Sequence, residues 1–120
     1  MSDQSRKEIM AKAQYWTEDG GADFLLKLLS VYAAQADACI VSLRRAFEQG
    51  NQADFTSAAH TLKSSSANVG ATTFSDLANK IEIASRQGRM VQTAGDLTRL
   101  EEEYPRVREA LEAVRVSLTK

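Results

Sequence analysis

The chain has 120 residues, a formal net charge of −1, 43% hydrophobic and 26% charged residues, the make-up of one ordinary globular domain with a single modest core. That charge balance excludes the basic surface selected by nucleic acid or an anionic membrane. No apolar run approaches the roughly 20 residues needed to span a bilayer, the polar start Met1–Lys7 lacks the apolar stretch of a signal peptide, and the single Cys39 has no internal disulfide partner and suits a reducing cytoplasm.

Every predicted element is helical, since the chain has one proline and no run of period-two alternation. Ser5-x-x-Glu8 predicts a capping box opening a short helix over about 5–16, which Asp19-Gly20-Gly21 breaks. A long second helix over about 22–49 carries Leu25, Leu28, Leu29, Tyr32, Ala36, Leu43 and Phe47 along one side. Cys39 is expected to be a small buried residue of it. Gly50 stops this helix, and Asn51 with Asp54 caps a third over about 52–68, ending near Gly70. Thr73-x-x-Asp76 predicts the start of a fourth helix over about 74–87, with Leu77, Ile81 and Ala84 inward and Gly88 at its end. Thr93-x-x-Asp96 opens a fifth over about 94–118, with Leu97, Leu100, Tyr104, Val107, Leu111, Val114 and Leu118 as its inner stripe. Pro105 inside it predicts a kink or local break, and Glu101-Glu102-Glu103 reads as a solvated face. Short turns force neighbouring helices to be antiparallel. The expected architecture is therefore all-α: a single domain, 1–120, built as an antiparallel up-and-down four-helix bundle with a short extra N-terminal helix across one end.

The one histidine, His60, lies on the third helix. At about 100° per residue, Phe55, Ala58, Ala59, Leu62, Ser66 and Val69 gather on one side, and His60 falls roughly 140° from the centre of that stripe, facing solvent. Its neighbours on the outer face are Thr56, Lys63, Ser64, Ala67 and Ala71. Alone, such a histidine is most often an ordinary surface residue. Along the chain, however, no carboxylate stands between Asp54 and Asp76, and Lys63 is the only charged neighbour. A metal site wants further ligands, and a general base in a triad wants an acidic orienter. An imidazole beside a cation suits the acceptance of an anion, with Lys63 as the neutralising point charge for a phosphoryl group.

The run His60-x-Leu62-Lys63-Ser64-Ser65-Ser66-Ala67-x-x-Gly70-Ala71 resembles the signature of histidine-containing phosphotransfer (HPt) domains of bacterial phosphorelays. The segments Asp23–Leu29, Gly50–Phe55 and Leu100–Tyr104 with Val107 and Leu111 are similar to that family's second helix, pre-histidine turn and last helix. The resemblance implies phosphorylation of a ring nitrogen of His60, with Lys63 neutralising the phosphate. Ser64 stands where the family often has glycine; it is still small, and its hydroxyl can hydrogen-bond the phosphate. Ser65 and Ser66 read as packing residues. Gly70 ends the helix or clears room for a partner. Glu82, which either orients Lys63 or faces solvent, and Arg86 lie where the family has polar residues near the histidine helix. Thr56, Ala67, Gly70, Ala71, Arg86 and an exposed Val41, level with His60 on the second helix, are the candidate partner contacts.

The resemblance implies a cytoplasmic, monomeric relay protein whose partners are response-regulator receiver domains and a hybrid histidine kinase. Mg²⁺ and most catalytic groups come from the receiver, so no cofactor or metal site is expected in this chain. No glycine-rich nucleotide loop is present, so no kinase activity of its own is expected. The Met1 start and a bundle that closes on itself favour a free-standing protein. Two alternatives stand beside this reading. One is a histidine-kinase dimerisation and phosphoacceptor domain, against which Thr61 and Ser64-Ser65 replace that family's acid and proline. The other is a non-catalytic interaction bundle, against which His60 and Lys63 are both retained.

Overall fold

The computed structural model describes residues 2–17 and 21–119, without the side chains of 2, 3 and 16. The described residues form five α-helices, α1 (Ser2–Thr17), α2 (Ala22–Gln49), α3 (Gln52–Asn68), α4 (Thr72–Arg86) and α5 (Ala94–Leu118), with a 3₁₀ turn at Met90–Thr93 before α5. Among them there is no strand.

The turn that aims α3 is built as its residues dictate. Gly50 takes the left-handed conformation (φ 67°) that ends α2. Asn51 then accepts a hydrogen bond from the Asp54 backbone N–H through its side chain, at 3.1 Å. Neighbouring helices run antiparallel, as paired contacts show: Tyr32 meets Ser66 while Phe47 meets Phe55, and Gln52 meets Ser85 while the Lys63 carbonyl meets Ser75. Asp37 meets Arg108 while Arg44 meets Glu101. α2 packs on α3, α3 on α4, and both α2 and α4 on α5. The shared core holds Tyr32, Leu43, Phe55, Leu62, Ile81, Leu97, Leu100 and Val107, each essentially inaccessible, so truncating one such as Leu62 to Ala costs about 2–5 kcal/mol.

α1 packs chiefly along α5, with smaller contacts to α2 and α4. Ser5 does not cap it. The helix begins earlier, and Ser5 is buried in line with Ile9 and Ala13 on the inward face. Glu8 and Thr73, the key residues of two predicted caps, bond to each other instead: the Glu8 carboxylate accepts from the Thr73 hydroxyl at 2.6 Å and its N–H at 3.1 Å. Burial opposes ionisation of Glu8, but these bonds and that of Gln4 hold its pKa below the usual value. α4 therefore starts after Ala71, capped across the fold rather than by its own side chain. The predicted break at Asp19-Gly20 lies outside the described residues.

Three further expectations are corrected. α5 runs unbroken through Pro105, which is exposed, so the expected local break does not form. The buried side of α4 is Phe74, Ser75, Ala78, Ile81, Glu82 and Ser85, with Leu77 and Ala84 half-buried on its flank. The acidic run is not uniformly solvated, because Glu101 pairs with Arg44 and Glu103 with Arg106. By length and composition alone α2 is also long and apolar enough to cross a membrane, with an 18-residue window of mean hydropathy 1.5. The run count missed this because single polar residues interrupt the run without lowering its average. Seven residues of α2, from Leu25 to Ala46, line the core instead.

Candidate functional site

α3 presents His60 outward, its side chain 53% exposed, while α4 turns Glu82 inward beneath it, 5% exposed. One Glu82 carboxylate gathers three side chains. Its Oε2 lies 3.0 Å from His60 Nδ1 and accepts from Arg86 Nε at 2.8 Å, with Arg86 Nη2 at 2.7 Å. Its Oε1 faces the Lys63 ammonium at 2.9 Å. The helical period makes this possible. Glu82 and Arg86 are one turn apart on α4, and His60 and Lys63 one turn apart on α3. Burial by itself raises the pKa of Glu82, but the bonds from Lys63, Arg86 and His60 outweigh it and hold the group at about 2. Glu82 is therefore ionised at neutral pH and can only accept. Nδ1 of His60 therefore carries a proton, and in the neutral imidazole the lone pair then sits on Nε2.

The rest of the α3–α4 seam fixes this register. The Thr56 hydroxyl donates to the Gln52 carbonyl at 2.8 Å and so receives the Ser85 hydroxyl, 2.6 Å away. Gln52 Nε2 donates to the Ser85 carbonyl at 2.5 Å, and the Ser75 hydroxyl to the Lys63 carbonyl at 2.7 Å. Under α3, Ser66 is fully buried and bonded to Tyr32 at 2.8 Å. A hollow beside the imidazole is lined by Gln52, Ala53, Thr56, Ser57, His60 and Arg86.

The sequence placed His60, Lys63 and Arg86 together on one face, with Ser64 and Ala67 exposed and Thr56 half-buried along α3. It placed others wrongly. The imidazole is not acid-free: the nearest carboxylate comes from α4, 22 residues away in sequence. Gly70 and Ala71 are no open contact surface. Ala71 is buried, and Gly70 (φ 86°) passes so close under α1 that an added Cβ would stand 2.5 Å from Lys12 Cβ. Val41 is exposed, as expected; on its α2 side, a groove beside α3 is lined by Gln35, Ala38, Cys39, Ser42, Arg45, Ala46 and Gln49. The role of Glu82 was legible in one signal, an acid next to Ile81 at a period that buries both.

A family model, the Hpt domain, matches residues 27–115. Among solved structures, histidine-containing phosphotransfer protein B (HptB) from Pseudomonas aeruginosa PAO1 is similar, with a TM-score of 0.61 and 21% identity over 92% of this chain and 87% of that one. A likeness at that identity speaks for the fold. No curated protein sequence matches the chain. The family match takes in all of α3 and α4 and nearly all of α2 and α5, and with them every residue gathered by Glu82; the chain belongs to the Hpt domain family, the phosphotransfer carriers of two-component phosphorelays.

Proposed function

We propose that this chain is a phosphorelay intermediate whose His60 takes a phosphoryl group from a receiver-domain aspartyl phosphate and passes it to the aspartate of another receiver. The observation that carries the reading is the bond from His60 Nδ1 to a buried, ionised Glu82. It frees Nε2 as the nucleophile at an exposed position. In the transfer, the Nε2 lone pair attacks phosphorus, the bond from phosphorus to the aspartyl oxygen breaks, and the carboxylate leaves with its electron pair. The ring becomes cationic as it forms the new bond, and Glu82 stabilises that charge through Nδ1–H. Reversal onto a second receiver uses the same groups.

In this reading α2 to α5 are the up-and-down four-helix bundle and α1 is the extra N-terminal helix. The protein works as a cytoplasmic monomer, fed by a hybrid histidine kinase through its receiver, and has no kinase activity of its own. Mg²⁺ resides on the receiver. Thr56, Ser64 and Ala67 border the imidazole and form part of the surface the receiver meets.

The test is incubation with a phosphorylated receiver domain, comparing wild type with His60→Gln. Acid-labile, base-stable label on the wild type alone is the expected result. Equal labelling of His60→Gln, or no labelling from any receiver tried, removes the reading and favours the non-catalytic interaction bundle.

A further inference from the structure

Lys63 and Arg86 both pair with Glu82, but the two pairs are not equivalent. Oε1 of Glu82 is buried and, among the described residues, accepts no well-directed hydrogen bond. Among the described residues, the Lys63 ammonium 2.9 Å away is the charge paired with that oxygen. Taking Lys63 away would leave Oε1 buried with no donor beside it, and burying an unpaired polar atom is penalised. Lys63 is also only 29% exposed.

Oε2 is differently served. It holds both His60 Nδ1 and Arg86, so when the guanidinium departs the imidazole N–H remains. Arg86 is 58% exposed and spends Nε and Nη2 on Glu82. The hydrogens of Nη1 and one of Nη2 stay available, in the forked geometry that matches phosphate oxygens. Arg86 also lines the hollow that His60 opens onto, and Lys63 does not.

We infer that Arg86, not Lys63, is the cation that engages the phosphoryl group on His60, and that Lys63 is a positioning charge that holds Glu82 under the imidazole. The inference rests on the reading of His60 as the phosphoryl acceptor. It divides by location a task that spacing along α3 alone assigned to Lys63.

The test loads the full chain with phosphoramidate: Nε2 attacks phosphorus, the phosphorus–nitrogen bond breaks, and ammonia leaves. The phosphorus NMR shift of the product is then followed against pH, with helix content checked for each variant. Arg86→Ala is expected to raise the phosphoryl pKa, a roughly tenfold gain in proton affinity, because the dianion has lost a charged donor. Arg86→Lys should recover part of the shift, and Lys63→Met should move the phosphoryl pKa by less than Arg86→Ala does. A larger shift in Lys63→Met than in Arg86→Ala, or none in Arg86→Ala, overturns the inference while leaving the acceptor reading standing. If the wild type takes no label, or His60→Gln takes as much, both fall.

Discussion

Two seams of this protein are stitched by acids and bases, and they use them in opposite ways. Between α2 and α5, Asp37 meets Arg108 at 2.9 Å and Glu101 meets Arg44 at 2.5 Å, but the first pair is about half exposed and the second about a third. Water shares these charges, and either partner can leave at little cost. Between α3 and α4 a single buried carboxylate faces three side chains, two of them well exposed. There the acid cannot leave, while the groups bonded to it reach the surface. The first arrangement aligns helices; the second holds reactive groups in place, because the fixed partner lies beneath and the useful ones lie above.

The largest expected effect follows from that asymmetry. Glu82→Gln keeps the shape and removes the charge. The folded pKa of Glu82 is held at about 2, well below the ordinary glutamate value of 4.5. A depressed carboxylate contributes stability that is fully present above 4.5 and is lost as pH falls towards 2. The depression corresponds to about 3 kcal/mol. Denaturant unfolding at pH 7 and pH 3 should therefore show the wild type losing much of its advantage over Glu82→Gln on acidification. The other carboxylates titrate in both proteins and cancel in the difference. Parallel stability curves would show that Glu82 is no more committed than Asp37, and the contrast between the seams would collapse.

The same contrast explains what was legible in the sequence. All six inward residues predicted for α3 are buried, because a helical stripe is a local pattern and a 3.6-residue period decides it. The cap at Asn51 was legible for the same reason. Around the site, what failed was a choice between partners. Ser5, Glu8 and Thr73 carry capping spacings, yet Glu8 and Thr73 serve each other across 65 residues. His60 lies in a stretch without acids, yet Glu82 arrives from the next helix. Gly70 read as a helix end or as clearance for a partner; it ends α3 in a left-handed turn, and the clearance it gives is to α1. One-dimensional spacing ranks local bonds, and only packing reveals that a distant group competes better.

On the α2–α5 seam, Tyr104 is the nearest counterpart to Glu82, a polar group reaching from the core to a charged pair. Its hydroxyl bonds Asp37 and the Ala33 carbonyl, and its ring stacks on Phe74 at 5.9 Å. Burial first, and then the bond to Asp37, raises its pKa, so it stays a neutral donor. Tyr104→Phe keeps the ring packing and leaves Asp37 paired with Arg108. It should cost about 1 kcal/mol, read as a shift in the denaturation midpoint without a change in slope. A loss as large as that of Glu82→Gln would make this seam the equal of the other.

The smallest effect belongs to Arg44 and Glu101, and its size sharpens the comparison most directly. The guanidinium reaches Glu101 through both Nε and Nη2, geometry that would be worth most if it were dry. Arg44 also lies over the Phe47 ring, 5.7 Å from its centroid, so Arg44→Ala alone loses packing as well as charge. A double-mutant cycle with Glu101→Ala removes that confusion, because the packing term appears in both arms and cancels. The coupling should be about 0.5 kcal/mol, and it should fade in 1 M salt, where the Debye length falls to about 3 Å. A coupling of several kcal/mol that survives salt would mean that water does not share this pair, and exposure would then no longer separate the seam that aligns helices from the seam that holds the site.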